Sequence, residues 1–149
     1  MAKRIIPSAL ETHLVNNEPF DYAHLIKFDS THGILNHEVK TSAEGFKIGD
    51  QNIKVFAERD PAKLPWGKIG AEVVLECTGF FLDKTSAGKH IEAGARKVII
   101  SAPAKEFDFT FVQGVNSKDL KKEHNIISNG SCTANCLAPV AMVLENTFG

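Results

Sequence analysis

The chain has 149 residues and a mass of 16.3 kDa, with 43% apolar and 23% charged side chains. That is the make-up of one soluble globular domain, and it excludes disordered, collagenous and coiled-coil classes. Seventeen basic against eighteen acidic side chains leave a net charge of −1 with no basic run in either half, so a nucleic-acid partner recruited by phosphate neutralisation is not expected.

The opening M-A-K-R-I-I-P-S-A-L does not make a secretory signal, because Pro7 and Glu11 interrupt its apolar run. Nothing approaches the ~18 uninterrupted apolar residues of a membrane helix, so no membrane partner is expected either. Cys77, Cys132 and Cys136 are odd in number and form no Cys-x-x-Cys pair. This suits a reducing cytoplasm and argues against a disulfide framework or a structural zinc.

In chain order, residues 2–12 are compatible with a short helix only if Pro7 falls in its first turn. Leu14 and Val15 look like the end of a strand closed by Asn16 and Asn17. Residues 21–28 predict one or two helical turns. Val39, Phe46, Ile48, Ile53 and Val55 then alternate, with breaks at 44–45 and 49–50, which predicts a small antiparallel meander.

From residue 71 the texture changes. A-E-V-V-L-E-C-T-G (71–79) is nearly continuous in apolar residues and ends in Gly, as in a strand buried on both faces of a parallel sheet. A helix over about 84–93 closes at Gly94. Residues 98–100 predict the next buried strand, 109–115 another, 117–123 a short helix capped by Ser117, and 126–127 one more strand. Such α/β patterning binds ligands beyond the carboxyl ends of its strands, here Thr78 and Gly79, Ser101, and Ser128 with Asn129.

The last strand runs into I-S-N-G-S-C-T-A-N-C-L-A-P-V (127–140) and a helix carrying Leu137, Val140, Leu144 and Phe148 on one face. Ser131 is a natural N-cap, which puts Cys132 in the first turn, beside unpaired N–H groups and the positive end of the helix dipole. Both favour thiolate over thiol and make Cys132 a candidate nucleophile. The same groups, with the Ser131 and Thr133 hydroxyls, suit an anion such as phosphate. Cys136 follows one turn later on the same face. Spacing alone leaves open that both cysteines are small core residues.

S-N-G-S-C-T-A-N-C-L-A-P resembles the active-site segment of glyceraldehyde-3-phosphate dehydrogenases, usually S-N-A-S-C-T-T-N-C-L-A-P. The resemblance continues through K-F-D-S-T-H-G (27–33), A-E-R-D-P (57–61), E-C-T-G-F-F (76–81), H-I-E-A-G-A-R-K-V-I-I-S-A-P (90–103) and G-V-N (114–116), in family order from about residue 14 to residue 149. It implies a Rossmann-like, doubly wound and mostly parallel sheet, incomplete here, with the antiparallel meander attached. It also implies a cytoplasmic enzyme of glycolysis that oxidises a phosphorylated aldehyde with NAD and inorganic phosphate, and a homo-oligomer in the intact family. Cys132 matches the nucleophile that forms the thiohemiacetal and then the thioester. Ser131 and Thr133 match positions that bind substrate or inorganic phosphate; Arg59, Thr78, Gly79 and Ser101 match positions around the cofactor. Asn17 stands where the family usually has an aspartate on the adenosine ribose. An amide there lacks the charge that opposes a 2′-phosphate, which keeps NADP open beside NAD.

The family's opening strand and G-x-G-R-I-G loop have no counterpart before Leu14, where the sequence contains no glycine. Nor does any residue match the family's catalytic histidine or its substrate-phosphate arginine. Residues 1–149 are therefore expected to form part of a dinucleotide-binding domain without a catalytic domain, inactive alone. Losing a central strand would remove on the order of 10 kcal/mol of burial, comparable with a whole domain's stability. The alternatives are a non-catalytic fragment docking on intact subunits, a decayed gene product, and an erythrose-4-phosphate dehydrogenase-like enzyme. No metal is expected, since the spacing of His24, His32 and His37 near Asp29 matches no helical ligand pair. Lys118, Lys121 and Lys122 are expected on a solvated face, and Phe107, Phe109 and Phe111 in a core or interface.

Overall fold

A computed structural model describes residues 19–42 and 44–149, with side chains from Ala23 onward. The expectations for residues 2–12 and for Leu14, Val15 and Asn17 lie outside the described residues. The chain divides into two compact units, Met1–Arg59 and Asp60–Gly149.

In the first unit, helix α1 (Pro19–Lys27) precedes a two-stranded ribbon, β1 (Phe28–Asp29) and β2 (Gly33–Ile34). The predicted meander follows as β3 (Val39–Ser42), β4 (Gly45–Ile48) and β5 (Gln51–Lys54), all antiparallel in the order β3-β4-β5. Phe46 faces Ile53 across the ladder, and with Ala23 of α1 they form this unit's core, flanked by Ile26, Val39, Ile48 and Val55. Alternation in a half-buried sheet requires this arrangement, and it covers one face with the helix. His32 donates its backbone N–H to Asp29, and its ring nitrogen meets the same carboxylate at 3.0 Å.

The second unit begins with a 3-10 turn at Pro61–Lys63 and the short α2 (Trp66–Ile69). Its sheet comprises β6 (Val73–Glu76), β7 (Lys97–Ile100), β8 (Phe109–Thr110) and β9 (Ile126–Ser128), all parallel, in the order β6-β7-β9-β8. Helix α3 (Lys84–Glu92) makes the crossover from β6 to β7, and α4 (Cys132–Phe148) follows β9. Asp83 caps α3, accepting from the Ser86 N–H at 2.8 Å. The face beneath α3 carries Val98, Ile100 and Ile126, packed with Ala87 into the unit's core and joined by Leu82, Ile91 and Ala104.

Three expectations need correction. The β6 strand is buried on one face only: Val74 and Glu76 are enclosed, whereas Val73 and Leu75 are about half exposed, because no described element of the unit covers their side. The strand predicted over 109–115 stops after Thr110, since Asn116 turns back, its amide donating to Thr110 O and accepting from Val112 N. The predicted helix over 117–123 is only a 3-10 turn at Ser117–Asp119; Ser117 does not cap it but accepts from Gly114 N at 2.9 Å. Lys118, Lys121 and Lys122 are exposed, as expected of a solvated surface. Phe107, Phe109 and Phe111 are half-buried, Phe109 stacking on His124 at 5.0 Å between centroids.

Two positions in this unit are under tight local constraint. Where α3 ends, Gly94 adopts φ +104, and a Cβ there would lie 2.6 Å from Gly67 Cα and 2.7 Å from Gly67 N. Asp108 accepts from Asn125 N and Ile126 N at 2.8 and 3.0 Å and pairs with Lys84 Nζ at 2.6 Å, so it fixes the entry to β9. Burial raises its pKa, but those partners outweigh burial and lower the carboxyl from 3.8 to about 2.

Gly94→Ala is expected to cost about 2–4 kcal/mol in thermal unfolding. Gly114→Ala, also at positive φ but in open space, is expected to cost about 1 kcal/mol. Asp108→Asn is expected to cost about 1–2 kcal/mol at pH 7. Because the folded pKa lies below the unfolded one, this contribution is complete above about pH 4 and is lost as pH falls towards 2. Denaturant curves for Asp108→Asn should therefore converge with those of the parent as pH falls through that window.

Candidate active site

In the second unit the register of the parallel sheet decides where the polar strand ends meet. Glu76 of β6 pairs with Ile100 of β7, and Ile100 pairs with Ser128 of β9. The residues that follow, 77–80, 101–102 and 129–131, therefore leave the sheet together at its carboxyl edge. Thr78, Gly79, Ser101, Ser131, Cys132 and Thr133 all belong to this edge or to the helix that starts from it. Two backbone bonds reinforce the alignment: Ser101 N donates to Glu76 O at 3.0 Å, and Asn129 N to Ile100 O at 2.8 Å.

Ser128 is 1% exposed and holds two of these loops at once. Its hydroxyl donates to Ala102 O at 2.9 Å and accepts from Gly130 N at 3.1 Å. A buried hydroxyl requires such partners, so the loop bearing Ser101 and the turn leading to Cys132 are tied through one atom. Gly130 adopts φ +68, the left-handed conformation that lets the chain turn sharply from strand to helix. A Cβ at this position would stand 3.5 Å or more from its neighbours, so the glycine answers a backbone demand rather than a lack of room.

Ser131 takes the expected role. Its backbone is extended at φ −89 and ψ 162, and its hydroxyl accepts from Ala134 N at 2.9 Å. Cys132 is the first residue of α4, and its side chain is exposed, as are Thr133 and Cys136. The reading of both cysteines as core residues is thus overturned: Cys77, Cys132 and Cys136 are all exposed thiols. Asn135, which the sequence reading passed over, clamps the turn. Its amide donates to Asn129 O at 2.7 Å and to Ser131 O at 2.9 Å. The signal was an asparagine one helical turn after the cap, placed to reach back over the turn.

The cofactor positions divide. Gly79 is exposed at φ +78 and Ser101 is exposed beside it in the sheet order. Thr78 is half-buried, and its hydroxyl points inward to Glu76 Oε1, which also accepts Thr78 N at 2.8 Å. Burial raises the Glu76 pKa most strongly, yet the hydrogen bonds from His90 and Thr78 together hold it below the ordinary glutamate value. Arg59 is exposed at the end of the first unit. No described helix is long and apolar enough to cross a membrane.

Comparisons with known proteins identify the family. Residues 7–84 match the family model described as glyceraldehyde 3-phosphate dehydrogenase, NAD binding domain. Over 128 residues the chain is 56% identical to glyceraldehyde-3-phosphate dehydrogenase 1 of Bacillus subtilis, covering 85% of the chain and 38% of that protein. It is 54% identical to the Geobacillus stearothermophilus glyceraldehyde-3-phosphate dehydrogenase over the same shares. The Clostridium pasteurianum protein of that name is 52% identical over 127 residues, again 38% of its length. With more than half of its residues inside the matched family model, the chain belongs to the glyceraldehyde-3-phosphate dehydrogenase family.

Proposed function

We propose that this chain is the cofactor-side, cysteine-bearing part of a phosphorylating glyceraldehyde-3-phosphate dehydrogenase, with Cys132 as the nucleophile. The observation that carries the reading is the exposed Cys132 thiol at the first position of α4, on the edge that also bears Thr78, Gly79 and Ser101. Its sulfur would form the bond to the aldehyde carbon while the carbonyl oxygen gains a proton, giving a thiohemiacetal. Once the thiohemiacetal carbon has given up a hydride and its hydroxyl a proton, Cys132 would hold the acyl group as a thioester. Inorganic phosphate would open that thioester to an acyl phosphate and return the thiol.

The helix starts at this edge differ in a way that supports Ser131 and Thr133 as the anion site. Asp83 caps α3 with a carboxylate, which opposes phosphate there. Ser131 caps α4 with a neutral hydroxyl beside the exposed Thr133, so Ser131 and Thr133 would hold substrate or inorganic phosphate. Gly79 and Ser101 would hold the dinucleotide, and Thr78 would contribute through its backbone; Arg59 is proposed as a cofactor residue on the family resemblance alone. NAD, when bound, supplies the two-electron hydride acceptor. Among the described residues no helix start offers its pyrophosphate a glycine-rich turn.

The chain spans 38% of the length of the curated relatives, so the complete oxidation is proposed for a molecule of their length, a cytoplasmic homo-oligomer. For residues 1–149 alone, turnover is expected to fall by more than the ~10²–10⁴ contributed by one general base. Calorimetric titration of NAD into the 149-residue chain is expected to find no binding tighter than millimolar. Micromolar binding would mean that the pyrophosphate is held by residues other than a glycine loop.

The nucleophile has its own test. Brief iodoacetamide treatment at pH 7, followed by mass mapping, should label Cys132 about five- to tenfold faster than Cys77 and Cys136. All three thiols are exposed, so access does not decide the ranking. Equal labelling would remove Cys132 from its role.

A further inference from the structure

Beneath the carboxyl edge lies a buried polar chain that the proposed chemistry does not use. Trp66, Glu76 and His90 are each 2% exposed. Trp66 Nε1 lies 3.0 Å from His90 Nδ1, and His90 Nε2 lies 2.8 Å from Glu76 Oε2. The other carboxylate oxygen, Glu76 Oε1, accepts both the N–H and the hydroxyl of Thr78. The Thr78 hydroxyl in turn accepts from Phe80 N at 3.1 Å.

Donor chemistry gives this chain a direction. An indole N–H only donates, so the His90 nitrogen that meets it must accept. The ring then carries its proton on the opposite nitrogen, which donates to Glu76. The contact is a hydrogen bond from a neutral imidazole rather than an ion pair. Both Glu76 oxygens are therefore acceptors, with three donors converging on one carboxylate: one from the core and two from the loop.

We propose that Glu76 is a positioning residue whose orientation is set by Trp66 through His90. It locks the 78–80 turn with the Thr78 hydroxyl inward and presents the Gly79 backbone to the ligand at the sheet edge. Naming that ligand as NAD rests on the proposed function; the locking of the turn does not.

Glu76→Gln tests the direction because it keeps the volume and replaces one acceptor oxygen by an NH₂ donor. Turned towards the loop, that NH₂ meets the Thr78 donors. Turned towards the core, it meets His90 Nε2–H. Moving the imidazole proton to Nδ1 only transfers the conflict to Trp66 Nε1–H. Trp66→Phe removes this last conflict, so it should partly rescue Glu76→Gln. A core hydrogen bond with no directional role predicts additive losses instead.

The measurement is amide hydrogen exchange by NMR on the full 149-residue chain, at Thr78 and Phe80, referenced to Val98 and Ile99 of β7. Glu76→Gln is expected to speed exchange at Thr78 and Phe80 by about tenfold or more relative to β7. Adding Trp66→Phe should bring Thr78 back by about threefold or more. Thr78→Ser keeps both donors and should stay within about twofold of the parent, while Thr78→Val should release Phe80 by about tenfold. Uniform acceleration of loop and β7 amides, or a double variant worse than additive, would overturn the proposal. Should Glu76→Gln not fold, the Thr78 pair decides: equal Phe80 exchange in Ser and Val variants overturns it, and release in Val alone supports it. Millimolar NAD should shift the Thr78, Gly79 and Phe80 amide signals of the parent. No shift would remove NAD as the ligand of this turn, and the exchange rates would still decide the locking.

Discussion

The last row of the parallel ladder, Glu76–Ile100–Ser128, is the constraint on which the site depends. All three side chains lie on the buried face of the sheet, yet the two flanking ones are polar. Desolvated polar groups must find partners, and at the end of a strand the nearest ones are the backbones of the departing loops. Glu76 therefore holds the 78–80 turn, and Ser128 holds the loops after β7 and β9. The loops that carry the candidate chemistry are fastened from beneath by the same layer that completes the core. Pre-organisation of the edge is thus a consequence of folding rather than of ligand.

The approach to Cys132 shows how several weak local preferences combine. A left-handed Gly130, the Ser131 cap and the Asn135 clamp each settle one part of a four-residue turn. Together they start α4 at Cys132 and leave its thiol in solvent. The exposure of Leu137, Val140, Val143, Leu144 and Phe148 along the same helix has a different origin. Their spacing is that of a helix that packs, and its partner is not among the described residues of the unit. A contiguous apolar face of this kind is the surface feature least expected of an isolated folded domain.

Much of the fold was legible locally. The meander could be read because Val39, Phe46, Ile48 and Ile53 alternate and Gly45 and Gly49 punctuate them, so period and turn chemistry agreed. Helices α3 and α4 could be read from Gly94 and Ser131, whose capping chemistry acts over three or four residues. Periodicity misled where a loop folds back on its strand or where one face of a strand has no cover. Strand β8 ends early because Asn116 turns back on Thr110, and β6 is open on one side because nothing described covers Val73 and Leu75.

The family, the α/β order of elements, and the placement of Cys132 behind a capping serine are each written in contiguous residues and were legible without the fold. That Glu76, His90 and Trp66 form one directed chain, that Thr78 turns its hydroxyl inward, and that Ser128 joins two loops follows from the folded arrangement. The Trp66–His90, His90–Glu76 and Ser128–Ala102 contacts connect residues 14 to 26 positions apart. They exist because parallel pairing brings strand ends to one edge, and no local periodicity encodes which distant donor will meet a buried acceptor there.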